Sequence, residues 1–385
     1  MNKLAFFKRT SYHIMAIFFY LSYLFPINKK KILLIMTHDN TNEGNVGSTY
    51  HYFQKQDPTL IFKEVTRENY TFKSDKNLFK NLIYMFISVP YHMATSRTIF
   101  MDNVFLPFSA VKIKKNTQLV QLWHGTGAIK KFGLDCEEKW IKKLAVTTNK
   151  NTTHFIVGSS WMKKIYKTAF EAEDNKIFNI GCSRTDIFFN KAALQEKRDE
   201  FFNSYPELSS KKIILYAPTF RDDEYNAGEI KIHLDIDGLM SHLDDSYVLG
   251  LRLHPRIADK VNIEEHSTRY QDKVFDFSGY NKLNTLLICC DILVTDYSSI
   301  IYEYALMKKP MIFYSYDLST FEKSGRGFYE DYKTAVPGPV VFKTEQISNI
   351  IKNYPADEYD INKFLDIYLE NCDGNSRKRL YDLLT

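Results

Sequence analysis

Short apolar runs, each followed by a polar loop bearing glycine, serine or a basic residue, recur along this 385-residue chain. Ile32-Leu-Leu-Ile-Met36 predicts a first strand buried on both faces of a parallel sheet. The polar, glycine-punctuated loop Thr37–Gly47 behind it is of the kind that carries function in α/β folds. Runs at Leu60–Val65, Thr98–Met101, Leu119–Leu122, Phe155–Gly158 and Ile177–Ile180 predict further strands, with helical periodicity between several of them, including a stretch near Leu78–Met93. Strand–helix alternation sustained over about 150 residues argues for a doubly wound sheet. After a charged helical connector at Ala192–Phe202, a second cycle begins, with strands at 213–217, 247–251, 274–276, 292–295 and 311–314. The pattern predicts two Rossmann-like domains facing across a cleft, residues 31–200 and 201–385, with a boundary near 190–210 and residues 1–30 set apart.

Charge changes the picture at the N-terminus. Lys3, Lys8, Arg9, Lys29, Lys30 and Lys31 stand without an acid in residues 1–31; against a net charge of +5, these six leave −1 for the remainder. The body of the protein is electrically balanced, so a nucleic-acid partner has no electrostatic footprint and none is expected. Between the basic residues, Ile14–Phe25 is apolar for twelve residues, too few for a span of roughly 20. Pro26 and three lysines follow it in place of a small-residue cleavage site. On a helix Ile14, Ile17, Phe18, Leu21, Leu24 and Phe25 share a face, which suits an amphipathic helix lying on an anionic membrane surface. The alternative is an ordinary helix packed on the first domain. Hydrophobic content of 44% with 25% charged residues describes a folded globular chain. Five cysteines (Cys136, Cys182, Cys289, Cys290, Cys372) have no metal-type spacing and read as reduced thiols.

The chemistry concentrates at predicted strand ends, where open α/β sheets bind ligands. After Ile292–Thr295, the turn Asp296-Tyr-Ser-Ser299 leads into a helix from Ile300. Helix N-termini favour phosphate; Ser298 and Ser299 add hydroxyls, and Glu303 is placed to accept from a ribose. Thr219 and Arg221 lie beyond the strand at 213–217, and Arg252 and His254 beyond that at 247–251. His124 ends the strand at 119–122 and precedes a glycine-rich turn with Lys130 and Lys131. Arg326 is flanked by glycines, which lets backbone approach a ligand. Asp222-Asp223-Glu224 is acidic enough for Mg²⁺ but reads as an exposed loop, so neither a metal site nor a cofactor is expected. No GxxxxGK[ST] or GxSxG string is present, which excludes a P-loop kinase and a serine hydrolase of the nucleophile-elbow type.

The strings WHGTG..KKFG, YAPTFRD, LHP and TDYSS...E, with RGFYEDY...PGP at 326–339, together resemble the CDP-glycerol glycerophosphotransferase family of wall teichoic acid synthesis, from about Asp102 to Asn375. The resemblance implies a glycosyltransferase-B (GT-B) architecture and an enzyme that moves a polyol phosphate from CDP-glycerol or CDP-ribitol to a lipid-linked saccharide, releasing CMP. It implies catalytic roles for His124, as acceptor base, and for His254. The CDP-glycerol site would comprise Thr219, Arg221, His254, Asp296, Ser298, Ser299, Glu303 and Arg326, and the acceptor side Asn45, Gly125, Lys130 and Arg184. Arg184 lies in Gly181-Cys-Ser-Arg-Thr-Asp186, where Ser183 replaces a proline usual in the family. Within the family, the compact chain and Met101-Asp-Asn-Val-Phe-Leu106 look more like primases, which add the first unit. RGFYEDY...PGP is closer to enzymes adding later ones. A poly(glycerol/ribitol phosphate) polymerase of teichoic acid or capsule, and a GT-B nucleotide-sugar transferase, are the alternatives. The expected location is the cytoplasmic face of the cell membrane, peripherally bound; the oligomeric state is left open.

Overall fold

The apolar runs pair in parallel into two six-stranded sheets in a computed structural model, which describes residues 3–385 except 40, 71–77, 222–224, 226–227, 229–230, 259, 262, 264–268 and 325. The first sheet contains β1 (Asn28–Met36), β2 (Ile61–Thr66), β3 (Ser96–Met101), β4 (Gln118–Gln121), β5 (His154–Val157) and β6 (Ile177–Asn179), in the order β2-β1-β3-β4-β5-β6. The second contains β7 (Lys212–Ala217), β8 (Tyr247–Leu251), β9 (Val274–Asp276), β10 (Ile292–Thr295), β11 (Met311–Tyr314) and β12 (Val340–Val341), in the order β12-β11-β10-β7-β8-β9. Strand order reverses between β1 and β3 in one sheet and between β7 and β10 in the other. At such a switch point the connections leave toward opposite faces and open a crevice at the carboxyl ends. β12 is two residues long and escapes the apolar-run pattern.

The chain forms two units. The first comprises the residues up to Thr126, Lys131–Asp186 and Tyr368–Thr385; the second comprises Gly127–Lys130 and Ile187–Ile367. The last eighteen residues thus belong with the first sheet. Leu380 and Leu384 of the helix Ser376–Leu384 join Ile32, Leu34, Phe53, Phe100 and Val120 in one buried cluster. The start of that helix is tied to Asp186, whose carboxylate accepts from the Ser376 and Arg377 N–H groups at 3.0 and 2.9 Å. Gly181 (φ +92°) lets the segment approach: a Cβ there would lie 2.4 Å from the Asn371 carbonyl oxygen.

Helix α1 (Lys3–Ser22) carries apolar residues on two faces. Met15, Ala16 and Phe19 are buried with Leu33, Val89, Ile99 and Phe108 in the core of the first unit. Ile14, Ile17 and Leu21 are exposed, as are Leu24 and Phe25 in the turns that follow before Pro26. Among the described residues no helix is long and apolar enough to cross a membrane. The helical stretch near 78–93 is broken into a helix (Leu78–Ile83), a π-turn (Tyr84–Ser88) and a second helix (Val89–Thr95). Val89 N–H donates to the Tyr84 carbonyl, five residues back. Pro90 has no N–H and its ring crowds the preceding turn, so a wider turn accommodates it.

Beneath this segment Lys31, almost fully buried, donates to Thr95 Oγ1 at 2.5 Å and lies 3.5 Å from His92 Nδ1. Burial, then the charges of Lys31 and Lys63, push His92 down to about 4. Between that value and the ordinary 6.5, the unfolded chain binds a proton that the folded one does not. Stability is therefore full above pH 6.5 and falls as the pH drops toward 4. We expect the urea midpoint to decrease from pH 7 to pH 4.5, and to decrease less in His92→Gln; an equal decrease in both would assign the acid sensitivity elsewhere.

Candidate active site

In the first unit the sequence-predicted residues converge on the carboxyl ends of β1, β3 and β4, at the switch point. Trp123, just past β4, has φ 58°, a left-handed conformation costly for a bulky residue and held only where surroundings enforce it. Its N–H donates to Gln121 Oε1 at 2.9 Å. Asn45, at the start of α2 (Asn45–Gln56), is 2% exposed. Its Nδ2 donates to the Leu122 and Trp123 carbonyls, and its Oδ1 accepts from the Arg184 N–H at 3.0 Å. These bonds turn the chain so that His124 emerges at the carboxyl end of the sheet. Arg184, buried, donates through Nη1 to the His124 carbonyl at 2.7 Å and lies 3.8 Å from Asp39. Ser183, in place of the family's proline, takes a hydrogen bond from Thr49 at 2.8 Å, so the departure leaves Arg184 in position.

His124 Nδ1 lies 3.0 Å from the Asp102 carbonyl oxygen. A carbonyl only accepts, so Nδ1 carries the proton and Nε2 is the basic atom of this tautomer. The Asp102 carboxylate accepts from three successive N–H groups, Thr37, His38 and Asp39, at 2.8–3.0 Å. Burial nevertheless pushes it up to about 6 against the pull of those donors. One residue thus joins the loop after β1 to the imidazole after β4. Asp186 is not part of this cluster; it caps the C-terminal helix. Gly125 is partly exposed beside His124.

Lys130 belongs to the second unit, bridged to Phe328, with Nζ 5.7 Å from the Phe321 ring centre. Gly127 travels with it, where a Cβ would lie 2.6 Å from the Tyr302 ring.

In the second unit the switch point between β7 and β10 holds Thr219, Arg221 and Asp296. Asp296 Oδ1 accepts from the Thr219 and Tyr297 N–H groups, and Oδ2 accepts from Arg221 Nη1 at 2.5 Å. Arg221 also donates to the Thr219 carbonyl and, through Nε and Nη2, to both oxygens of Asp317 at 3.0 and 2.9 Å. Its side chain is 5% exposed, with Tyr297, Tyr316 and Phe321 packed around the guanidinium. Burial opposes its charge, but Asp296 and Asp317 more than offset this and hold it protonated. Arg221 is therefore the tie that fixes the loops after β7, β10 and β11, with its planar fork spent on protein partners. Ser298 is half-buried, Ser299 exposed and Glu303 buried, all beyond β10. His254 is exposed beyond β8, its ring 5.0 Å from Phe220. Arg326 is exposed and followed by Gly327 at φ 74°. Arg252 is turned inward, donating to the Phe277 carbonyl. Tyr332, from the RGFYEDY string, donates to the Asp296 carbonyl at 3.0 Å and buttresses the same turn.

His38, Asp102, Asp317 and Tyr332 had no place among the sequence-predicted site residues. The first two follow β1 and β3, and only the strand order makes those ends neighbours. Among the described residues no group of three or more His, Cys, Asp or Glu is placed to hold a metal ion; Asp222-Asp223-Glu224 lies outside the described residues.

Two parallel sheets, each with a polar cluster at its switch point, define a GT-B-like α/β protein. The chain belongs to the family described as CDP-glycerol:poly(glycerophosphate) glycerophosphotransferase, which it matches over residues 17–385. It is thus an enzyme of a teichoic-acid transferase family. It is 34% identical to the teichoic acid ribitol-phosphate primase of Bacillus spizizenii over 95% of this chain and 93% of that protein. It is 33% identical to the teichoic acid poly(ribitol-phosphate) polymerase of the same organism, over 93% of this chain but only 56% of the longer relative. Solved structures of the wall teichoic acid polymerase TagF superpose with a TM-score of 0.78 at 24% identity, covering all of this chain and 98% of theirs, a likeness of fold.

Proposed function

We propose that the protein transfers a single glycerol- or ribitol-phosphate unit from a CDP-linked donor to a lipid-linked saccharide, as a teichoic acid primase does. The observation that carries this reading is the His124 Nδ1 contact with the Asp102 carbonyl, which leaves Nε2 as the atom that takes a proton. The acceptor hydroxyl oxygen attacks the phosphorus next to the polyol, the bond from that phosphorus to the bridging oxygen breaks, CMP leaves, and the hydroxyl proton passes to His124. Asp296, Thr219, Ser298, Ser299, His254 and Arg326 are assigned to the donor. Arg221 acts on it through Asp296 and the turn they share. The ribitol-phosphate primase matches along nearly the whole of both chains, but so does a poly(glycerol phosphate) polymerase of the same organism, at 32% identity over 96% of each, so the product itself decides the number of additions. Incubation with CDP-glycerol or CDP-ribitol and a disaccharide-lipid analogue, read by product mass, tests it. One added unit is expected. A ladder would make it a polymerase, and turnover of UDP-sugars without CMP release would make it a sugar transferase.

The reading includes peripheral binding to the cytoplasmic membrane face through α1. Its Ile14, Ile17 and Leu21 are exposed, Lys8 and Arg9 lie in the same helix, and Lys114 Nζ reaches the Phe25 carbonyl. Because the other face of α1 is core, point variants test this better than truncation. Ile17→Glu with Leu21→Glu should release the protein from anionic vesicles at unchanged melting temperature. Wild-type binding should weaken with salt as the Debye length falls from about 10 Å at 0.1 M to about 3 Å at 1 M. Undiminished sedimentation of the double variant would place the contact elsewhere.

A further inference from the structure

The His38 ring lies flat against that of His124, with centroids 3.6 Å apart and planes inclined by 7°. His38 is the second residue beyond β1, and its N–H is held by the Asp102 carboxylate at 3.0 Å. The residue whose carbonyl fixes the His124 tautomer thereby also fixes the backbone that carries the second imidazole. Trp123 packs on the His124 ring as well, with centroids 4.2 Å apart and planes at 31°. The outer side of His38 is exposed.

We propose that His38 is a positioning residue for transfer: its ring is the platform that sets the plane of His124 and steadies the imidazolium formed when His124 takes the acceptor proton. Stacked rings exchange no proton through their faces, so His38 is not a second base in relay. What a neutral ring offers a cation lying on its face is π-electron density. That attraction requires His38 itself to be neutral. Loss of water on its covered side lowers its affinity for a proton, Asp39 opposes this, and Arg67 and Arg184 reinforce it. The other charged group at hand, Asp102, meets the His38 backbone. Once His38 is protonated, two cations would face each other at van der Waals distance, and the platform becomes a repulsion. The inference rests on the reading of His124 as the base.

The test compares His38→Ala, His38→Phe and His124→Ala in the full chain, with kcat and both KM values measured from pH 5 to 9 on a soluble acceptor analogue. His38→Ala should lower kcat about tenfold, the scale of a lost aromatic contact in the transition state, with donor KM within about twofold. His38→Phe restores a flat ring and should recover kcat to within about threefold at pH 8. The acid limb separates stacking from mere packing. In wild type only one of the two rings is protonated at a time, so the limb should follow a single proton; its midpoint should fall in His38→Ala, where the imidazolium loses its platform, and return in His38→Phe. His38→Ala at wild-type kcat with an unchanged acid limb would overturn the proposal, as would a Phe variant no better than Ala. If His38→Ala does not fold, the Phe variant and His38→Gln carry the comparison, and a Gln variant matching Phe in rate and limb would overturn it. Activity retained in His124→Ala would instead remove the base assignment; an inactive His124→Ala beside an unaffected His38→Ala would sink this inference alone.

Discussion

Replacing His124 by alanine is expected to remove transfer almost completely while leaving the affinity for the CDP-linked donor within a fewfold. Loss of a general base typically costs 10²–10⁴ in rate, about 3–5 kcal/mol of barrier. The split follows from where the residue sits. His124 is fastened by Asp102, Arg184 and Asn45, all of the first unit, whereas the residues proposed for the donor belong to the second. Single-turnover CMP release and equilibrium donor binding, measured on the same preparation, check both halves. Activity above a tenth of wild type would remove His124 from the role. Equal losses of binding and rate would mean that it touches the donor.

Arg221→Ala should be the most destabilising of the site substitutions. It strands Asp296 and Asp317 in an aromatic enclosure without their cation, and breaking one side of a buried ion pair costs about 3–5 kcal/mol. Denaturant titration should show this loss together with a weakened donor site, since the turn carrying Ser298 and Ser299 hangs from Asp296. Arg221→Lys should recover little, because an ammonium cannot reproduce the four bonds made by the guanidinium fork. Full stability with only a raised donor KM would show instead that the guanidinium faces the donor.

These two residues mark the limit of what sequence makes legible. The strands were visible because buried parallel strands are short apolar runs, and β10 and β11 have the ends that their patterning suggests. His124, Asp296 and Ser298 stood out because each lies within three residues of the end of such a run. The direction in which a side chain leaves a strand end is another matter. Arg221 reads as a cation for a pyrophosphate until Asp296 and Asp317 are found on either side of it, and Asp317 is 96 residues distant. Lys130 reads as one acceptor-side residue with Asn45, Gly125 and Arg184, but sequence does not reveal that Gly127–Lys130 belong to the second unit and the other three to the first. His38 and Asp102 fall together because β1 and β3 are adjacent, a fact of pairing that no local pattern contains. The twofold apolarity of α1 reads equally as membrane face and as core, since periodicity reports what is apolar and not what covers it.

The return of Tyr368–Thr385 to the first sheet bears on how the protein can be divided. A cut in the connector near residue 200 looks like a clean division into halves. The amino-terminal fragment would nonetheless lack the helix that covers Ile32, Leu34 and Phe100, and its Asp186 would lose the helix end it holds. Such a fragment should be insoluble alone and rescued by a peptide spanning 368–385 supplied in trans. A chain that keeps both units and lacks only Tyr368–Thr385, complemented by that peptide, gives a way to switch the enzyme on by addition, without altering any residue of either polar cluster.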